Sequence, residues 1–275
     1  YSSGGRNVGV RHMRGDIAVV IDGHCRVPDR AHLRTLAEAF AVTGADCLGR
    51  PQPLDAPGAG PFGRAVAVAR QSRLGHNPAS DVYSDRPGWV HPGSSAVAYR
   101  RDVFDRVGLF DPAFDACEDV EFNERVHRAG LRCYFDPRLR VVYHPRASFG
   151  ALFRQLARYG RGRARLARKH PRSLTAPAVL PPLALAWLLL GPAAAGWAWA
   201  ATVVGYAAAV LGASVWLGRR QPWAVRARLP AAFAGIHLGF AWGFWAELLR
   251  PGKPHAEVLL QSTQLADRSP ATSLK

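Results

Sequence analysis

The chain has 275 residues, enough for one medium-sized domain and a further segment. Its 36 Lys and Arg residues exceed its 20 Asp and Glu residues, and the net charge of +16 favours anionic partners. The four cysteines show no CxxC spacing, so neither a disulfide framework nor a zinc knuckle is expected. A nucleic-acid-binding protein is disfavoured, because the arginines concentrate beside apolar segments and no zinc-finger or RNP pattern is present.

The first part of the chain alternates between strand and helix patterns, which predicts an α/β fold. The predicted elements are, in order, a helix at 5–14, a strand at 16–22, a helix at 29–44, a strand at 45–50, a helix at 62–72, a strand at 95–100, helices at 101–108 and 118–130, and strands at 132–136 and 140–144. Between them, a long loop rich in Gly, Pro, Asn and Ser is predicted at 75–94.

The composition changes near residue 174. Residues 174–218 contain no Asp, Glu, Lys or Arg, which is enough for two membrane spans of about 20 residues with a turn at Gly191-Pro192. Residues 229–246 form a third apolar segment that either spans the bilayer or lies re-entrant. We therefore expect four regions: an α/β domain at 1–147, a basic amphipathic interface helix at 148–173, about three transmembrane helices at 174–249 and a polar tail at 250–275.

Two groups of side chains could carry chemistry. The strand at 16–22 ends in Asp22-Gly23-His24, and a carboxylate with an imidazole suits Mn²⁺ or Mg²⁺, although a turn capped by Asp22 would explain the same residues. Glu118 and Asp119 begin a helix, where the helix dipole favours carboxylates, but such a pair in a cleft can also act as a general base.

The order of these motifs gives a specific resemblance. Residues 5 to about 170 contain R-N-x-G at 6–9, D-x-H at 22–24, E-D at 118–119 and Q-x-x-R-Y at 155–159. In this order they resemble the family 2 glycosyltransferases, and most of all the membrane-anchored enzymes of the succinoglycan type. The resemblance implies a partial GT-A (Rossmann-like) domain followed by transmembrane helices, a divalent metal cofactor, a nucleotide-sugar donor, a lipid-linked saccharide acceptor and inverting sugar transfer.

The resemblance also implies a role for each matching position. The expected catalytic residues are Asp119, as the base, and Glu118. The expected metal ligands are Asp22, His24 and His144. The expected donor-binding residues are Arg6, Asn7, Asp22 and Arg158. The expected acceptor-binding residues are Gln155 and Tyr159, to which we add Trp89 of the loop at 75–94. Each of these roles has a simpler structural alternative. His144 could be an ordinary histidine at a strand end, Arg6 and Asn7 could cap a helix, residues 155–159 could belong to a basic membrane-surface helix, and Trp89 could lie in a solvated loop.

The resemblance further implies a location and a missing part. Basic clusters at 161–172 and 219–228 predict a bacterial cytoplasmic (inner) membrane protein whose catalytic domain faces the cytoplasm and an anionic membrane surface. The family's strands that precede R-N-x-G are absent from this sequence, so a longer gene product is expected, with little activity from these residues alone. The alternative is a non-catalytic transferase remnant that acts as a membrane scaffold.

Overall fold

The computed structural model describes residues 2–54, 58–78 and 80–249, so the polar tail predicted at 250–275 lies outside the described residues. The helices are α1 (Ser2–His12), α2 (His32–Thr43), α3 (Pro61–Arg70), α4 (Pro92–Ser95), α5 (Arg101–Val107), α6 (Glu118–Arg128), α7 (Phe149–Lys169), α8 (Ala176–Gly218), α9 (Trp223–Arg226) and α10 (Leu229–Leu249). The strands are β1 (Ile17–Val19), β2 (Cys25–Arg26), β3 (Cys47–Gly49), β4 (Gly88–Val90), β5 (Ala96–Arg100), β6 (Cys133–Phe135) and β7 (Val142–Tyr143). Single 3₁₀ turns lie at Asp81–Tyr83, Pro137–Leu139 and Pro171–Ser173.

A five-stranded mixed sheet with the order β1-β5-β3-β6-β4 confirms the predicted α/β class. β3 and β6 are parallel, and the other neighbours are antiparallel. The prediction of a continuous loop at 75–94 is wrong, because β4 lies inside it and pairs with β6. The packing that holds β4 comes from distant residues, since the Trp89 ring lies under the Arg132 guanidinium, 3.7 Å from its centroid, and against Tyr134.

The sheet is covered by helices on both faces, because consecutive strand residues point to opposite sides. On one face, Tyr99 and Cys133 pack with Phe104, Phe110 and Phe122 in an aromatic cluster beneath α5 and α6. On the other face, α2 packs its buried Leu36 and Phe40 against the next residues along the same strands. Each fully buried aromatic or leucine side chain contributes about 1.5–3 kcal/mol, so the two layers fix the sheet whose strand ends form the site.

The long apolar helix α8 is a helical hairpin that reverses at Gly196, where φ is 47° and ψ is −116°. Its two arms face each other, since the Trp187 indole donates to the Thr202 hydroxyl at 2.8 Å. The turn predicted at Gly191-Pro192 is therefore wrong. Gly191 lies within the first arm, where a Cβ atom would come 2.4 Å from the Trp199 ring, so this glycine permits close packing instead.

Helix α7 runs beside α10 along most of its length, and its apolar face is buried there. Leu152 and Leu156 of α7 share a buried cluster with Phe233 and Ile236 of α10 and with residues of α3. The two helices are parallel, because early residues of one contact early residues of the other and the Arg165 guanidinium near the end of α7 binds both oxygens of Glu247 at 3.0 Å.

Within the described residues, three segments are long and apolar enough to cross a membrane, at Ala176–Ala193, Gly196–Gly218 and Trp223–Leu249. The third differs from the others because nearly half of it is buried inside the protein. That burial comes from α7, which was predicted as a separate interface helix. Several of its basic residues are used internally: Arg168 also reaches Glu247, and Lys169 pairs with Asp111 and Glu121.

Candidate active site

The end of β1 delivers a group of possible metal ligands. The chain stays extended beyond Val19, since Val20 N–H donates to Val97 at 2.8 Å, and it then turns where Cys25 N–H donates to Asp22 O at 2.9 Å. Donor atoms of Asp22, His24 and Cys25 all lie within 4.8 Å of one another. The sequence argument thus placed Asp22 and His24 together and missed Cys25.

The predicted third ligand, His144, is not in this group. Pairing of β2 with β7 puts Cys25 opposite Tyr143, and the backbone N–H of His144 donates to His24 O at 3.3 Å. The His144 side chain itself is exposed, while the His24 ring packs edge-on against Tyr143 at 4.5 Å. The role of His144 as a ligand stays a prediction.

The Asp22, His24 and Cys25 group fits a divalent ion on chemical grounds. Burial lowers the pKa of His24, only partly offset by Asp22, so the imidazole is neutral near pH 7 as a metal ligand must be. Burial also raises the pKa of Cys25, so the thiol keeps its proton and would have to lose it to coordinate. A carboxylate with an imidazole is a donor pair that suits Mn²⁺.

Arg6 on α1 connects the strand end to the acidic pair. Its guanidinium lies 3.2 Å from Asp22 Oδ1 and 3.1 Å from Glu118 Oε1. Burial lowers the pKa of Arg6, but the charges of Glu118, Asp119 and Asp22 outweigh it and raise the pKa above its usual value. Arg6 is therefore a fixed positive charge near three carboxylates. Its donor-binding role stays a prediction.

Asn7, the neighbour of Arg6, faces the other way. Its side-chain amide donates to Phe110 O at 2.8 Å and accepts from Phe110 N–H at 2.9 Å. These two buried hydrogen bonds fasten α1 to the loop before the acidic helix. The geometry gives Asn7 a bracing contact, and its predicted donor contact stays a prediction.

The acidic pair presents two unlike carboxylates. Glu118 is buried and bound by Arg6 and the Ser2 hydroxyl, and burial together with neighbouring Asp119 raises the pKa of Glu118. Asp119 is exposed to the cavity, with one oxygen accepting from Val120 N–H at 2.9 Å. Asp119 is thus the carboxylate free to meet a ligand, and Glu118 is the one that holds its surroundings.

An unusual backbone conformation at Cys117 sets the direction in which the chain enters the helix that begins with Glu118 and Asp119. Cys117, directly before Glu118, has φ 61°, a left-handed conformation that costs a non-glycine residue about 1–2 kcal/mol. α7 supports it from behind: Cys117 Sγ contacts Tyr159 O at 3.6 Å, and a Cβ atom on Gly162 would lie 2.5 Å from Ala116 O. Helix α7 therefore packs directly against the turn that presents Asp119.

Asp22 and Asp119 line one cavity of about 1820 Å³. The cavity starts at the strand ends and continues to the apolar surfaces of α8 and α10. Its cationic and polar lining includes residues that the sequence argument did not single out for the site, namely Arg50, Arg70, His76, Glu124, His127 and Arg163. They were missed because they come from α3, α6, α7 and the segments after β3 and α3, with no local motif to mark them.

The three residues of the Q-x-x-R-Y motif occupy three different environments. Gln155 is buried and donates to the hydroxyls of Tyr143 at 2.6 Å and Tyr159 at 3.1 Å, so it braces the wall behind His24. Tyr159 lines the cavity. Arg158 donates to the carbonyl of Asp115 at 2.7 Å, outside the described lining of the cavity.

Trp89, predicted at the acceptor wall, also lies outside that lining. It is half exposed on the edge strand β4, where it packs with Arg132 and Tyr134. His91, two residues later, does line the cavity and packs against His127, with ring centroids 3.9 Å apart and the rings tilted by 41°. The acceptor role given to Trp89 stays a prediction.

A mixed sheet with a carboxylate after its first strand, an acidic pair at a helix start and a fixed arginine between them, all beside a cavity with an apolar extension, is a site that the family comparison specifies. Residues 2–162 match the family model described as "Glycosyltransferase like family 2". The chain belongs to this family and is a glycosyltransferase.

Among curated proteins, the chain is 36% identical over 238 residues to the succinoglycan biosynthesis protein ExoA of Rhizobium meliloti (strain 1021), covering 85% of this chain and 70% of that protein. It is 28% identical over 186 residues to the pre-mycofactocin glycosyltransferase of Mycobacterium tuberculosis, covering 67% of this chain and 39% of that protein. A shorter match of 61 residues, 38% identical, links it to the O-antigen biosynthesis protein RfbC of Myxococcus xanthus, at 22% of this chain and 5% of that protein.

Proposed function

We propose that this glycosyltransferase moves a sugar, with inversion, from a nucleotide-sugar donor to a lipid-linked saccharide acceptor. The observation that carries the proposal is the single cavity that contains Asp22 and Asp119 and continues to the apolar helices α8 and α10. Its polar end suits a sugar diphosphate, and its apolar end suits a hydrocarbon chain. An acceptor that is both saccharide and lipid would use both ends.

Asp119 is the proposed general base, because its carboxylate is exposed in the cavity whereas Glu118 is buried and bound. It removes the proton of an acceptor hydroxyl, whose oxygen forms a bond to the anomeric carbon. The bond from that carbon to the nucleoside diphosphate breaks on the opposite face, and its electron pair leaves with the diphosphate. Arg6 would hold the donor side of the cavity in place through Asp22 and Glu118.

A divalent ion, Mn²⁺ or Mg²⁺, is the proposed cofactor. Asp22 and His24 would hold it, and Cys25 lies near enough to contribute a further donor atom. The imidazole favours Mn²⁺, because Mg²⁺ prefers ligand sets made of oxygen. When bound, the ion would offset the negative charge that develops on the leaving diphosphate.

Cell-surface exopolysaccharide synthesis is the proposed setting. ExoA is named for succinoglycan biosynthesis and RfbC for O-antigen biosynthesis, and both names refer to surface saccharides. The net charge of +16 supports this setting, because a nucleotide sugar, a lipid phosphate and an anionic membrane all carry negative charge.

For the location, we propose the bacterial inner membrane, with the α/β domain at 1–147 in the cytoplasm and the α8 hairpin as the two spans. α10 is proposed to lie along the membrane interface, although it is long enough to span. It packs lengthwise on α7, which carries seven Arg and Lys residues, and each would cost about 2.5–3.5 kcal/mol at the bilayer centre. A pair of parallel helices that includes α7 is therefore expected to stay at the surface.

The test uses Asp119→Asn in the full-length gene product, assayed in membranes with labelled nucleotide sugars and a lipid-linked saccharide extract. We expect sugar transfer to fall by about 10²-fold or more, since general-base catalysis contributes about 10²–10⁴-fold, with donor binding within about twofold of wild type. Chelation with EDTA should weaken donor binding, and Mn²⁺ should restore it.

The matched control is Asp105→Asn, the same chemical change on the exposed surface of α5. It should transfer sugar at the wild-type rate. Unchanged turnover in Asp119→Asn would reject the base assignment. A wild-type protein that transfers no sugar from any donor would favour the scaffold alternative.

A further inference from the structure

Several arginines of the cavity wall form no salt bridge among the described residues, namely Arg50, Arg70, Arg73, Arg163 and Arg172. Two of these, Arg70 and Arg163, act on the same part of the wall. Arg70 is the last residue of α3 and Arg163 lies on α7, and both line the cavity. Nearby arginines such as Arg6 and Arg165 are held by carboxylates at 3.2 Å or less. The Arg70 guanidinium instead lies 5.9 Å from the centroid of the Tyr159 ring.

The positive charges of Arg70 and Arg163 both act on His76. Burial first, and then the charges of Arg70 and Arg163, lower the pKa of His76 to about 4, so the imidazole is neutral at pH 7. Its Nε2 atom is buried without a hydrogen-bond partner in the described part of the chain. Arg163 also acts electrostatically on Cys117, the residue before the acidic pair. The positive region therefore lies next to the catalytic end of the cavity.

The other side of this positive region borders the membrane helices. The carbonyl of Leu74 accepts a hydrogen bond from His237 of α10 at 2.8 Å, which docks the segment containing His76 onto α10. His237 in turn contacts the Tyr206 hydroxyl of α8 at 2.6 Å. Beyond them the cavity is lined by apolar residues of α8, namely Leu180, Pro181, Ala184, Leu188 and Val203.

Along the cavity, the carboxylates come first, the arginines without salt bridges come next, and the apolar residues of α8 come last. We propose that Arg70, Arg163 and His76 bind the phosphate or diphosphate of an amphiphilic acceptor, whose hydrocarbon chain follows α8 and whose saccharide points to Asp119. This proposal rests on the proposed function, because it deepens the description of the lipid-linked acceptor. The donor diphosphate has its own proposed place at Asp22 and Arg6.

The experiment measures binding by the chain in nanodiscs, without donor and with EDTA, so that no metal ion can mediate it. The probes are farnesyl diphosphate and inorganic pyrophosphate, and UDP with Mn²⁺ is titrated separately. The decisive variant is Arg163→Gln, because this side chain makes no hydrogen bond or ion pair within the described residues. The matched control is Arg161→Gln, an exposed arginine two residues earlier on α7.

We expect Arg163→Gln and Arg70→Gln each to weaken farnesyl diphosphate binding by about tenfold or more, the effect of losing a charge-assisted contact. Arg161→Gln should bind like the wild type, Arg163→Lys should recover part of the loss, and UDP binding should be unchanged throughout. Since Arg70 packs on Tyr159, its result counts only in a variant that melts like the wild type; Arg163→Gln decides in any case.

Unchanged farnesyl diphosphate binding in Arg163→Gln would overturn the proposal. So would an equal loss of UDP binding, which would assign the cations to the donor, or pyrophosphate binding as tight as that of farnesyl diphosphate, which would indicate a free anion. A chain that binds farnesyl diphosphate through Arg163 but transfers no sugar would count against the proposed function alone. Transfer that continues while Arg163→Gln binds normally would count against this site alone.

Discussion

Gly243 lies where α10 touches the backbone of α7, and its replacement tests how closely the two helices pack. A Cβ atom at this position would lie 1.9 Å from the carbonyl oxygen of Ala157. Because an ordinary carbon–oxygen contact is about 3.4 Å, Gly243→Ala requires the helices to separate locally by roughly 1.5 Å. The obstacle is a backbone atom, so no side-chain rotation relieves the contact.

The expected cost follows from two opposing effects. Overpacking a tight contact costs about 1–3 kcal/mol, and we take about 3 because the obstacle is backbone. Alanine is better than glycine in a helix by about 1 kcal/mol, which leaves a net loss of about 2 kcal/mol in the free energy of unfolding. At roughly 2–4 °C per kcal/mol for a chain of this size, Gly243→Ala should lower the Tm by about 4–8 °C.

Tryptophan fluorescence during thermal unfolding in nanodiscs measures this change. The matched control is Gly212→Ala in α8, where a Cβ atom would meet nothing within 4 Å. That variant gains helix propensity without a clash, so its Tm should equal or exceed the wild-type value. If Gly243→Ala melts like Gly212→Ala, the close contact between α7 and α10 does not exist, and the reasoning about the helix pair fails with it.

Two further predictions concern α6 and α10. Burial would raise the pKa of Glu121, but hydrogen bonds from Arg125 and Lys169 outweigh it and hold the pKa at about 2, below the ordinary 4.5. The stability that the ionised Glu121 contributes is present above pH 4.5 and is lost as the pH falls toward 2. The Tm of the wild type should therefore fall more steeply across that window than the Tm of Glu121→Gln. If the Tm of both proteins falls equally with pH, other carboxylates cause the acid sensitivity. For the segment Trp223–Leu249, which contains α10, cysteines introduced at its two ends as Trp223→Cys and Leu249→Cys should both react with a membrane-impermeant maleimide from the same side of the bilayer. Labelling from opposite sides would show that this segment spans the bilayer.

The sequence predicted the parts of the fold that depend on local periodicity. The alternation of buried strands and amphipathic helices indicated the α/β class, and the uncharged run at 174–218 indicated the helical hairpin. The family resemblance gave Asp22 and Asp119 neighbouring roles, and both residues line one cavity. The strands and helices were predictable because the periodicity and composition of each are encoded in the local sequence.

The residues that were missed depend on contacts between distant segments. Cys25 lies with Asp22 and His24 through a local turn, and the pairing of β2 with β7, more than 100 residues later in the chain, holds that turn in place. On α7, the motif pointed to Arg158, whereas Arg163 lines the cavity. Five residues correspond to roughly 140° around a helix, and which of the two arginines faces inward is fixed by the packing of α7 on α10.

The left-handed turn at Cys117 has a consequence for how the enzyme can be divided. The expected α/β domain ends at residue 147, but Gly162 and Tyr159, which support that turn, lie beyond it. A soluble fragment ending there would retain the whole sheet and yet lose the backing of Asp119. Asp119, the proposed base, is anchored to the membrane-proximal half of the molecule, so we expect lipids or detergents that loosen that half to alter turnover without touching the substrate.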